Sequence, residues 1–203
     1  MNNKPINHKP VKKGLMNQIR FKQHTSLAIT CVIAIMCSAF YAAVAQAEVQ
    51  HSAAEGFVIQ HQITVSASAQ RSFSGLVNEV GQWWHPDHTY SGDATNMRIE
   101  AKAGGCFCET WEQNSVQHLA VVFVQPAKQL RLTGGLGPLQ QESVNGVMDW
   151  TLSQDEATQQ TQITMSYKVS GYRVGGLAAW AEPVDQVLAQ QIQRLERHLN
   201  KAQ

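Results

Sequence analysis

Apolar and polar residues alternate through GFVIQHQITVSA (56–67): Phe57, Ile59, Ile63 and Val65 share one face, Gln60, Gln62 and Thr64 the other. A period of two marks a half-buried strand. After Ser68 the period lengthens. Phe73, Leu76, Val77 and Val80 recur at helical spacing and predict a short helix, loosened at Gly81 and ended by Pro86 and the Ser91-Gly92-Asp93 turn. Strand periods then return at 97–102, 106–112, 116–124, 130–133, 144–153 and 161–170. Gly104-Gly105, Asn114-Ser115, Pro126 and the glycine-rich stretch 134–138 punctuate them. Alternation turns Met148, Trp150 and Leu152 inward in one strand, and Ile163, Met165, Tyr167 and Val169 in the next. The chain closes on a long helix whose apolar stripe is Val184, Leu188, Ile192, Leu195 and Leu199, with Gln, Arg and Glu opposite. Pro183 suits its first turn, and GLAAWA before it reads as an earlier turn kinked at that proline.

Strand, one or two short helices, a run of antiparallel strands and a long amphipathic helix make an α+β fold. A helix with one apolar stripe must bury it, and the concave face of a curved sheet of about six to seven strands is the available partner.

The first 47 residues fall outside this pattern. Six basic and no acidic side chains precede an apolar run that ends in Ala45-Gln46-Ala47. Basic segment, apolar core and small-x-small site make a signal peptide, cleaved after Ala47. The alternative is an uncleaved inner-membrane anchor, because 27–45 is long enough to span a bilayer. Either way the domain is exported, to the periplasm or cell exterior. Residues 48–55 read as an extension and 56–203 as the domain. Beyond residue 47 the chain carries ten Lys and Arg against 15 Asp and Glu. That acidic balance argues against nucleic acid and anionic lipid surfaces, and no stable membrane insertion is expected after cleavage. Cys106 and Cys108 remain in the domain. Across a regular strand, residues two apart lie about 6.5–7 Å apart, at the limit for a disulfide. Two thiols packed as small apolar groups are therefore expected rather than a strained bridge, and no second cysteine pair completes a zinc site.

The segments WWHPDHTYSGD (83–93), AGGCFCETW (103–111), VVFVQPAKQLRLTGGLGPLQ (121–140), VNGVMDWTL (144–152) and GYRVGGLAAWAEPVDQVLAQQIQRL (171–195) resemble, in order and spacing, the SRPBCC superfamily: START-like domains, the birch-pollen-allergen fold and polyketide cyclases. The likeness is nearest to the branch resembling the activator of the heat-shock-chaperone ATPase. It spans about 56–200. It implies a helix-grip fold with a deep cavity between sheet and helix, holding an apolar or amphipathic ligand. It does not imply ATP hydrolysis, since the chain lacks G-x-x-x-x-G-K-[ST]. No cofactor is expected.

Several residues could serve such a cavity. Trp83 and Trp84, neighbours at a helix end, point about 100° apart, so one is expected inward and one at a rim. His85 and His88 form H-x-x-H, but Pro86 interrupts helical presentation and H-E-x-x-H is missing, so no metal is assigned. His88, with Thr89 and Tyr90, is a candidate polar contact at the mouth, or a loop-stabilising residue. Glu109 shares a strand face with Phe107 and Trp111. Inward, it would be a desolvated carboxylate of raised pKa and a candidate base; a solvent-facing position is the expectation. His118, Leu136, Met148, Trp150, Met165, Tyr167 and Tyr172 complete the candidate lining, with glycine-rich segments as lids. A binding protein for a small lipid, polyketide or aromatic compound is the first reading. A cyclase, dehydratase or hydrolase using His88, Tyr90 and Glu109 is the second, and a chaperone-associated protein-binding module the third.

Overall fold

The computed structural model describes residues 48–201. The expected signal peptide and its cleavage site lie outside those residues. Eight antiparallel strands form one sheet in the order β1-β2-β8-β7-β6-β5-β4-β3. They are β1 (Glu48–Ala53), β2 (Gly56–Val65), β3 (Met97–Ile99), β4 (Cys106–Trp111), β5 (Asn114–Gln125), β6 (Gln129–Thr133), β7 (Ser143–Gln154) and β8 (Thr161–Tyr172). From β4 to β8 each strand pairs with its predecessor, and β2 then closes against β8. Two short helices, α1 (Ala69–Asn78) and α2 (Val80–Trp83), follow β2, and α3 (Ala178–Lys201) ends the described chain. This is the expected α+β helix-grip architecture with one strand more. The addition is β1: residues 48–53, read as an extension, pair with β2 through a hairpin at Ala54-Glu55.

Local chemistry explains the boundaries. Ser68 caps α1, its hydroxyl accepting from the Arg71 N–H at 3.2 Å. The helical run then breaks at Glu79, whose carboxylate accepts from Arg71 and His198. Gly81 belongs to the break for a steric reason. A Cβ there would stand 2.8 Å from the Ala94 carbonyl oxygen, so the close crossing of the 93–96 turn requires glycine. Pro183 lies inside α3 rather than at its start, and the GLAAWA turn runs into one continuous helix.

The sheet's inner face and α3 enclose the core. Ile59, Ile63, Met148, Trp150, Met165 and Tyr167 meet Leu188, Ile192, Leu195 and Leu199 there, all at least nine-tenths buried. Trp83 is wholly inside this core, edge-on to Trp150 with centroids 6.2 Å apart, and donates to the Gly75 carbonyl at 3.2 Å. His61 of β2 also faces inward, opposite Asp185 of α3. His61 Nε2 and Asp185 Oδ1 are 2.9 Å apart, but neither atom makes an aligned hydrogen bond. Burial lowers the pKa of His61, against the opposing pull of Asp185.

Cys106 and Cys108 are joined, which corrects the expectation of free thiols. The reason is local. Their Cα atoms are only 5.4 Å apart, short of the regular strand spacing, and the β4–β5 register shifts at this point. Phe107 pairs with Leu119 and Cys108 with Gln117, so His118 is an extra residue on β5 with no partner across. A contracted β4 facing an over-long β5 is a bulge.

Candidate functional site

The bulge sets the site. It breaks the alternation of β5, so His118 and Leu119, neighbours in sequence, are both buried. The His118 ring lies between those of Phe107 and Tyr90, with centroids 5.2 and 5.8 Å away. Beside it is Glu109, which is wholly buried, not solvent-facing as expected. The carboxylate works as a strut. Oε2 accepts from the Tyr90 N–H at 2.9 Å and from His118 Nε2 at 3.1 Å, and Oε1 accepts from the Ser91 N–H at 2.5 Å. Desolvation alone would raise the Glu109 pKa. Hydrogen bonds from Ser91, Tyr90 and His118 outweigh it and hold the pKa below the ordinary value of 4.5. The raised pKa expected of an inward Glu109 is corrected, because three hydrogen bonds favour its charged form. Burial lowers the His118 pKa, with Glu109 opposing, so the ring is neutral near pH 7. An ionised carboxylate only accepts, so Nε2 carries the ring proton and Nδ1 is left as an acceptor. Among the described residues no hydrogen bond to Nδ1 is seen.

Residues 84–91 form the wall above this floor. Trp84 Nε1 donates to the His88 carbonyl at 2.9 Å, and its ring meets Phe107 edge-on at 5.1 Å. Helix α3 ties the segment down. Gln191 accepts from the His85 N–H at 2.8 Å, Arg194 donates to the Trp83 carbonyl at 2.7 Å, and Gln190 meets His88 Nε2 at 2.8 Å.

Between this segment, the first turns of α3 and the stretch 136–141 lies a cavity of about 430 Å³. Trp180, Pro183, Val184, Val187 and Leu188 line it from α3, at spacings of three and four that make one helical stripe. Leu136, Gly137, Pro138 and Gln141 face them, with Trp84, His88, Tyr90 and His118 across the floor and mouth. Asp87 is the one charged side chain among the described lining, and no Lys or Arg takes part. Tyr167 shapes the cavity from behind. Its hydroxyl donates to the Gly134 carbonyl at 2.9 Å and accepts from the Leu136 N–H at 2.9 Å, and burial pushes its pKa up to about 12. Gly146 leaves room for that phenol: a Cβ there would lie 2.6 Å from the hydroxyl oxygen.

Of the candidate residues, Trp84, His88, Tyr90, His118 and Leu136 meet around the cavity. Trp83, Met148, Trp150, Met165 and Tyr167 do not line it; they fill the core between sheet and helix. Tyr172 is 73% exposed and lies elsewhere. His88, Tyr90 and Glu109 do not converge on one point: His88 turns to Gln190, the Tyr90 hydroxyl to the Gly137 carbonyl, and Glu109 is sealed. The α3 residues Trp180, Pro183 and Val187 were missed by the sequence reading. Their spacing to Val184 and Leu188 was the available signal. Among the described residues no three His, Cys, Asp or Glu side chains gather as metal ligands.

No family model matches the chain, and no curated protein matches it. Solved structures do. A crystal structure of a protein from Mesorhizobium loti is 17% identical, covers 72% of this chain and 98% of its own, and superposes with a TM-score of 0.52. A solution structure of a protein from Arthrobacter aurescens is 14% identical over 76% of this chain and 93% of its own, at 0.51. DynU16, from the dynemicin biosynthetic locus, is 16% identical over 72% of this chain and 48% of its own, at 0.50. At such identities the likeness shows the fold alone, a sheet gripping a long C-terminal helix.

Proposed function

We propose that this chain is an exported SRPBCC-type binding protein that holds a small apolar or amphipathic molecule at the N-terminal end of α3. One observation carries the proposal: a cavity of about 430 Å³ walled by an aromatic and aliphatic surface, with a few polar groups at its floor and mouth. Its size and make-up are those of small-molecule sites. A Cys106–Cys108 bridge fits an oxidising compartment and supports the exported reading.

Native mass spectrometry of protein purified from its own compartment tests the proposal. A low-mass adduct lost on denaturation is expected, and it should be missing from Val184→Trp, which fills the cavity. Bare wild-type protein at every stage of a gentle purification would count against it.

A further inference from the structure

The lining carries more information than its apolarity. Rings dominate it: Trp84, Tyr90, His118 and Trp180 surround the space, and Pro138 and Pro183 add flat apolar faces. Planar groups stack offset or edge-on against such surfaces. His118 lines the floor, and Nδ1 is the ring nitrogen left to accept. Its orientation is imposed from behind, because Nε2–H points at the buried Glu109 carboxylate. A carboxylate behind an imidazole strengthens the far nitrogen as an acceptor and holds the tautomer. Among the described residues no Lys or Arg lines the space, so a ligand carboxylate would be desolvated without a partner, at considerable cost.

Resting on the reading of this cavity as a binding site, we propose that its ligand is a neutral, ring-bearing compound that donates one hydroxyl or N–H hydrogen to His118 Nδ1. The site selects against ligand carboxylates. His118 is a specificity-determining residue, and Glu109 positions it.

Equilibrium dialysis of the full chain at pH 7 against four probes tests this: naphthalene, 2-naphthol, 2-methoxynaphthalene and 2-naphthoate. A neutral hydrogen bond contributes about 1 kcal/mol net, so 2-naphthol should bind about fivefold tighter than naphthalene or the methyl ether. The carboxylate should bind weakest. In His118→Phe, which keeps a flat ring and removes the acceptor, 2-naphthol should fall to the affinity of naphthalene. With ¹⁵N-histidine in the wild-type protein, the Nδ1 resonance should move on adding 2-naphthol and stay in place with naphthalene, a readout that needs no variant. Equal binding of 2-naphthol and its methyl ether, or tightest binding of 2-naphthoate, overturns the proposal while leaving the cavity a binding site. Failure of all four probes to bind folded protein overturns the proposed function itself.

Discussion

Replacing Glu109 by Gln tests whether the buried carboxylate is the strut that holds the cavity's wall. The wild-type carboxylate satisfies three donors from two directions: the backbone N–H groups of Tyr90 and Ser91, and the His118 ring. An amide has one acceptor oxygen. At best that oxygen keeps Tyr90 and His118, and the amide NH₂ then faces the Ser91 N–H, donor against donor. Loss of one hydrogen bond to a charged acceptor costs about 1.5–3 kcal/mol, and turning the other two from charged to neutral costs about 1 kcal/mol more. The expected loss is about 2.5–4 kcal/mol at pH 7, read from urea unfolding with the m-value unchanged. The loss should have a pH signature. The Glu109 pKa is lower folded than its ordinary 4.5, so its stabilisation is complete above about 4.5 and disappears as pH falls toward the folded value. Glutamine does not titrate, so the gap between wild type and variant should narrow below pH 4.5. A loss under about 1 kcal/mol, or a gap that widens in acid, would refute the strut.

Other outcomes follow from the same geometry. His61 and His118 both have pKa values lowered from 6.5 by burial, so the unfolded chain takes up their protons first. Stability should therefore decline as pH falls below about 6.5, and His61→Gln should flatten part of that slope in urea midpoints measured from pH 7.5 to 5.5. Gly146→Ala places a methyl against the Tyr167 ring and should cost about 1–3 kcal/mol by overpacking, while freeing the Tyr167 hydroxyl from Gly134 and Leu136. The Cys106–Cys108 loop is so short that removing the bridge by a double Ser substitution should cost only about 1.5 kcal/mol of thermal or urea stability. It should weaken 2-naphthol binding more than stability, because the contraction of β4 faces the bulge that sets His118.

The fold was legible because periodicity reports burial directly. The inward sets Met148, Trp150, Leu152 and Ile163, Met165, Tyr167, Val169 are as alternation predicts, and the stripe from Leu188 to Leu199 is buried. The missed strand β1 carries EVQHSA, too polar and short to declare a face; pairing with β2 alone makes it a strand. The site was less legible because it depends on a departure from periodicity. Alternation assigns His118 and Leu119 to opposite faces, and only the bulge brings both inward. Glu109 shows the same limit: its side of β4 is set by Met97 and Val116 across the sheet and by two loop N–H groups, none of them visible in CFCETW. The inward aromatic and Met residues looked like cavity lining, yet they are buried in the core and do not line the cavity.

The two ends of α3 answer to different demands. From Ile192 onward its buried apolar positions are committed to the core, where a lost methylene is felt throughout the fold. Trp180, Pro183, Val184 and Val187 face an open space, so changes in their size redraw the cavity without emptying the core. Descendants of this chain could exchange one guest for another by drifting at those four positions while the remainder of the helix stayed under purifying pressure. The same division suits a designer, who could retune recognition along two turns of one helix and leave the eight-stranded scaffold untouched.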